Sequence, residues 1–266
     1  MFMPIISSID LPDNEIHLWI CQSNNIRAPE LLHHYDRLMT DEERAKQLRY
    51  RFEKDQHQAL VTRALVRTVL SKYAPIAPQD WRFEKGERDK PEIVPPAYCR
   101  IPALRFNLSH TYNFITCGVT LEKDLGVDVE HCERTNDVVA IADRYFSPSE
   151  VNELFSLPEA KQRSRFFDYW TLKESYIKAC GMGLAIPLDD FSFHIINSAP
   201  PQISISFAPQ RLDTPEHWQF WLMYPNETHR LSVGIRSIEP RPYKLKLFKT
   251  IPLLSDSEIT LPLLGD

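Results

Sequence analysis

Residues Arg165 to Leu184 read RFFDYWTLKESYIKACGMGL. Rich in aromatics and free of proline, the stretch predicts a long helix from about Gln162. Gly181 stands where a glycine can take the left-handed cap that ends it. Inside the helix lie Lys173, Glu174 and Lys178. Glu174 falls four residues after Trp170 and three before Ile177, so its carboxylate shares a face with two large apolar side chains. A charge there is costly unless it is paired or binds a metal. Lys178, four residues on, also allows a plain helix ion pair with Glu174.

About forty residues upstream lies GVDVE, Gly126 to Glu130. In a strand, Asp128 and Glu130 project to one side. Two acids from a strand and one from a helix could form an all-oxygen site for a hard cation. Magnesium takes few protein carboxylates and completes its shell with waters or phosphate oxygens. The plainer alternative is two exposed strand acids beside a helix salt bridge.

Two further segments carry polar chemistry. NLSH, Asn107 to His110, ends a strand with a Ser–His pair that could meet a phosphate. A serine-hydrolase reading lacks its nucleophile elbow, and alone the segment reads as a polar strand end. KGERDKP, Lys85 to Pro91, is a basic turn able to offer amides and cations to a nucleotide. The Gly181–Met182–Gly183 run ends a helix instead of opening one after a strand, so it is no dinucleotide fingerprint.

The chain has 266 residues, 43% hydrophobic and 25% charged, enough for one large domain or two smaller ones of an ordinary globular kind. A net charge of -5 argues against a general polyanion binder, and no nucleic-acid partner is expected. Residues 44 to 72 nevertheless carry Arg44, Lys46, Arg49, Arg51, Lys54, Arg63, Arg67 and Lys72 against Glu53 and Asp55. That excess suits an anionic ligand, although on charge alone a solvated helix face is the plainer reading. The five cysteines are dispersed without a CxxC pair, which fits a reducing cytoplasm. The N-terminus lacks a signal-peptide pattern, and no apolar run approaches the ~18 residues of a membrane span. A soluble cytoplasmic protein with no membrane partner is expected.

Thr40 with Glu43, and Ser147 with Glu150, spell two capping boxes. Each precedes a longer helix and then strands. Helix is expected at 54–73, ended by Pro75, and from Ser147 to about Leu157. Strands are expected at 16–21, 104–108, 115–121, 191–196, 203–207, 218–223 and 231–235, the last pair bracketing a hairpin turn at Pro225–Glu227. The pattern predicts an α+β fold of two similar halves, each a small antiparallel sheet packed with helices. The expected bounds are 1–118 and 119–240, followed by a tail at 241–266 with little to bury.

In order, the basic region 44–67, DKP (89–91), FNLSH (106–110), GVDVE (126–130), FSPSE (146–150), WTLKESYIKACGMGL (170–184) and PLDDFSF (187–193) resemble the surfactin-synthetase type of 4'-phosphopantetheinyl transferase. The resemblance spans about residues 40 to 235. It implies a Mg2+-dependent transfer of the phosphopantetheine arm of coenzyme A to a serine of an apo acyl- or peptidyl-carrier protein, releasing 3',5'-ADP. It implies a monomeric pseudo-dimer with the active site in the cleft between its halves. Lipid, polyketide and nonribosomal peptide synthesis all remain open as the pathway.

By motif, the resemblance gives Asp128, Glu130 and Glu174 to the metal, and Glu174 and Lys178 to catalysis, with the choice of base open. Ser109 and His110, with Asn107 beside them, would contact phosphates of coenzyme A, and Lys173 would also bind it. Lys85 to Lys90, with Pro91, would line adenine and ribose. Lys46, Arg49 and Arg63 would meet the 3'-phosphate. The rival readings are a non-catalytic protein that binds coenzyme A or a carrier, and a metal-dependent phosphohydrolase.

Overall fold

The computed structural model describes residues 8–86, 90–133, 137–196, 202–239 and 241–262. The chain divides into two compact units, Met1–Glu122 with Lys244–Ile259, and Lys123–Tyr243 with Thr260–Asp266.

The first unit contains β1 (Glu15–Cys21), α1 (Pro29–Leu38), α2 (Asp41–Gln47), α3 (Glu53–Leu70), β2 (Arg82–Lys85), β3 (Pro91–Val94), β4 (Leu104–Thr111) and β5 (Phe114–Leu121). In the second lie β6 (Asp124–His131), α4 (Pro148–Ser156), α5 (Glu159–Cys180), β7 (Phe191–Ile196), β8 (Gln202–Phe207), β9 (Trp218–Asn226) and β10 (His229–Arg236). Strands β11 (Lys244–Ile251) and β12 (Ser255–Ile259) then return to the first unit. The fold is α+β, as expected, with small and largely antiparallel sheets.

Both capping boxes form. The Thr40 hydroxyl accepts the Glu43 backbone N–H at 3.2 Å, while the Glu43 carboxylate accepts the Thr40 N–H at 3.0 Å. Ser147 and Glu150 repeat the exchange at the start of α4. Helix α5 ends at Gly181, which takes the left-handed conformation at φ 67°.

Two expectations are corrected. A unit boundary after residue 118 would cut through β5, and the division falls after Glu122 instead. The stretch expected as a tail is largely sheet. β11 pairs in parallel with β1, from Glu15↔Lys244 to Ile20↔Lys249, and β12 continues the sheet, whose order is β12-β11-β1-β5-β4. Phe248 supplies the apolar reason: it is buried and stacks on Trp19 with ring centroids 4.4 Å apart. Helix α1, also unforeseen, buries Tyr35, whose hydroxyl donates to the Pro252 carbonyl at 2.7 Å.

The two units repeat one plan. β1-β5-β4 in the first corresponds to β6-β10-β9 in the second, each built from antiparallel neighbours. Both hairpins turn through two residues, 112–113 and 227–228. Counted from those turns, Glu130 opposite Arg230 matches Cys21 opposite Ile115, and Asp128 opposite Ser232 matches Trp19 opposite Cys117. In the first unit those strand positions therefore hold core side chains where the second holds acids.

Candidate active site

Gly126 decides how the acid-bearing strand meets the helix. A Cβ at this position would lie 1.9 Å from the Ser175 carbonyl oxygen and 2.5 Å from the Ala179 nitrogen. Only a residue without a side chain lets β6 approach α5 so closely. Across β10, the Ser232 hydroxyl donates to the Thr171 carbonyl at 2.7 Å and ties the neighbouring strand to the same helix.

This approach brings Asp128 to Lys178, whose ammonium donates to Asp128 Oδ1 at 2.5 Å. It also brings Glu130 to Trp170, whose indole N–H donates to Glu130 Oε1 at 3.1 Å. Both acids are buried, at 3% and 9% exposure, so the reading of two exposed strand acids fails. Trp170 does more than pack: it stacks on Phe166 and orients a carboxylate. Its position one turn before Glu174 was the available sequence signal.

Glu174 is half-buried on the same helix. Burial, and then the neighbouring Asp128 carboxylate, push its carboxyl up to about 7, against the pull of Lys178. For Lys178, burial works against the charge, but Asp128, followed by Glu174 and Glu130, outweighs it and raises the ammonium above its usual range. All three acids thus act electrostatically on one ammonium. Among the described residues, no three His, Cys, Asp or Glu side chains stand close enough together to hold a metal ion. By donor chemistry, Asp128, Glu130 and Glu174 nonetheless fit a hard divalent cation. They offer oxygen alone, and the repulsion that lifts Glu174 is the kind a cation relieves.

Lys173 is a correction. Expected near coenzyme A, it is completely buried and forms an ion pair with Glu150 at 2.8 Å. Its ammonium also donates to the carbonyls of Leu188 at 2.7 Å and Phe191 at 2.6 Å. With 0% side-chain exposure it presents no surface to solvent; it fastens α5 to α4 and to the start of β7. Neither partner was visible from spacing within α5.

A second set of expected residues lies in the first unit. Asn107 and Ser109 are buried on β4, opposite Gly118 and Thr116 of β5, while His110 is exposed. Lys85 and Pro91 face each other at the end of the β2–β3 hairpin, with Lys90 just before β3. Glu87, Arg88 and Asp89, which complete the basic turn, lie outside the described residues. Lys46 on α2 and Arg49 just beyond it are exposed, whereas Arg63 leans toward Glu43, 3.9 Å away.

Residues 124–234 match the 4'-phosphopantetheinyl transferase superfamily, and residues 28–120 match the family described as 4'-phosphopantetheinyl transferase, N-terminal. The 4'-phosphopantetheinyl transferase HetI of Nostoc sp. is 27% identical over 241 residues, covering 91% of this chain and 96% of that protein. A 4'-phosphopantetheinyl transferase of Bacillus subtilis is 36% identical over 163 residues, covering 60% and 69%. The 4'-phosphopantetheinyl transferase Sfp of Bacillus subtilis strain 168 is 31% identical over 180 residues, covering 67% and 77%. The chain belongs to the 4'-phosphopantetheinyl transferase family and is an enzyme of that class, as its motifs led us to expect. Among the described residues no helix is long and apolar enough to cross a membrane.

Proposed function

We propose that this enzyme transfers the 4'-phosphopantetheine arm of coenzyme A to a serine hydroxyl of an apo carrier protein, with 3',5'-ADP as the leaving group. The observation that carries the reading is the Lys178–Asp128 pair at 2.5 Å beside a Glu174 carboxyl held near neutrality. In phosphoryl transfer the protein's work is mostly positioning and charge neutralisation. Asp128, Glu130 and Glu174 would hold Mg2+, which when bound supplies Lewis-acid charge to the pyrophosphate oxygens.

The chain's own residues divide the remaining work. Lys178, kept charged by Asp128, has no lone pair to act as base; it neutralises phosphate charge. Glu174, with its carboxyl near 7, accepts the serine hydroxyl proton at a carboxylate oxygen as the serine oxygen bonds to the β-phosphorus. The bond from that phosphorus to the bridging oxygen breaks, and the electron pair leaves with 3',5'-ADP. Lys46 and Arg49 bind the 3'-phosphate, Lys85 and Lys90 border the adenosine, and Ser109 and His110 meet phosphate oxygens.

The test is incubation with coenzyme A, magnesium and a panel of apo acyl- and peptidyl-carrier proteins, with the products weighed. Gain of a phosphopantetheine arm on at least one carrier is expected. Tight binding of coenzyme A without transfer would return the non-catalytic reading. Cleavage of coenzyme A without a carrier would favour the phosphohydrolase. We place the enzyme in the cytoplasm as a monomer, which sedimentation can check.

A further inference from the structure

Glu43 has a task beyond capping α2. Its Oε2 accepts the Thr40 N–H at 3.0 Å and also an Arg67 guanidinium N–H at 2.6 Å. Arg67 comes from α3 and is 1% exposed. Its other terminal nitrogen donates to the carbonyls of Pro78 at 3.1 Å and Trp81 at 2.8 Å. Strand β2 begins at the next residue, Arg82. One buried guanidinium therefore joins the first turn of α2 and the entry to β2 to the same helix. Such a triple duty suits the rigid planar fork of arginine, which a lysine ammonium could not reproduce. Burial disfavours the Arg67 charge, and Glu43 is the carboxylate that offsets it. A second tie, from the Trp81 indole to the Ser71 hydroxyl at 2.9 Å, holds the β2 entry to the end of α3.

Cations hang from both joined segments. α2 carries Lys46, one turn beyond Glu43, and β2 ends at Lys85. α2 is only seven residues long and buries none of them. A helix that short has little stability of its own, so its placement is set from outside. We propose that Glu43 and Arg67 are positioning residues for coenzyme A: their buried pair fixes where α2 and β2 present their cations, without touching the ligand. This rests on the reading of Lys46 and Lys85 as coenzyme A contacts and is independent of the acids of β6 and α5.

The experiment is steady-state kinetics of Glu43→Gln with coenzyme A, 3'-dephospho-coenzyme A and an apo carrier. Glutamine keeps an oxygen for the Thr40 cap and removes the charge that holds Arg67. The KM for coenzyme A is expected to rise about tenfold, the scale of one hydrogen bond to a charged group, while kcat stays within about twofold. The KM for the carrier stays constant, and the preference for coenzyme A over its 3'-dephospho form narrows. Should the unpaired guanidinium prevent folding, Glu43→Gln/Arg67→Met removes both charges and is expected to show the same split. An unchanged KM for coenzyme A in a folded variant overturns the proposal, as does equal worsening of kcat and both KM values. Lys46→Ala tests the underlying reading separately. If it leaves the 3'-phosphate preference intact while Glu43→Gln still raises the KM, the role given to Lys46 falls and the brace stands.

Discussion

Lys173 and Glu150 form an ion pair closed to water, with side chains 0% and 1% exposed, one residue before Glu174 in the chain. The pair joins α5 to α4, and Lys173 lies over the Phe191 ring at 4.2 Å from its centroid. Removing one partner leaves a buried charge uncompensated. Lys173→Met is therefore expected to cost about 3–5 kcal/mol of stability, read as a lower urea midpoint. Lys173→Met/Glu150→Gln recovers part of that loss. A single variant as stable as the native protein would show that the pair does not hold α5 in place.

Gly126→Ala adds one methyl group where the Ser175 carbonyl stands 1.9 Å away. The helix must retreat from β6, and Lys178 with it from Asp128. Misplacement of about an ångström can cost on the order of 100-fold in rate, and a loss of that size in kcat is expected with circular dichroism little changed. Native turnover would mean that β6 and α5 tolerate a wider spacing than the site's geometry implies.

The pH dependence of Glu174 has a definite sign. Its folded value, about 7, lies above the ordinary 4.5. Its contribution to stability is therefore fully present below 4.5 and lost as pH rises through about 7. Without metal, Glu174→Gln should melt at a higher temperature than the native protein at pH 8.5 and close to it at pH 4, a range set by that shift. Transfer should be lost in the same variant. Added magnesium is expected to raise the native melting temperature and narrow the gap. Parallel melting curves of pH dependence for the two proteins would remove the basis for placing a strained carboxyl at the site.

Trp170→Phe keeps an aromatic ring against Phe166 but removes the N–H that Glu130 accepts. A hydrogen bond to a charged group contributes about 1.5–3 kcal/mol. The expected result is a fall of roughly tenfold or more in kcat/KM with a raised magnesium requirement. Activity measured against magnesium concentration checks it; an unshifted curve would leave Trp170 as packing alone.

Phe248→Ala tests the strand that sequence reading missed. Truncating a buried phenylalanine costs about 3–5 kcal/mol, here through loss of the stack on Trp19. Denaturant unfolding measures it, and a loss below about 1 kcal/mol would mark β11 as dispensable to the first unit.

Helix α5 was legible because its signals are local: an aromatic run, an acid at one-turn spacings, and a glycine to stop it. The capping boxes were legible for the same reason, since Thr40 and Glu43 satisfy each other within four residues. β11 was not, although Lys244 to Leu247 alternates charge with leucine. Its partner β1 lies more than two hundred residues away, and a parallel pairing leaves no turn signature. Lys173 was misread for a related reason. Motif order placed it beside Glu174, but only the packing of α4 and β7 against α5 reveals that its charge is already taken up. Arg67 likewise counted as one cation in a basic run until its burial set it apart.

The match between Asp128–Glu130 and Trp19–Cys21 shows what a duplicated scaffold gains by becoming unequal. Acids at these positions in both units would put repelling charges on both strands. In the first unit those positions serve packing, where Trp19 meets Phe248 and the Tyr73 hydroxyl. Apolar packing and buried carboxylates thereby occupy equivalent strand positions in the two units of one polypeptide. Substitutions meant to toughen this enzyme belong around β1, where they can deepen the core without altering the buried Asp128 and Glu130 of β6.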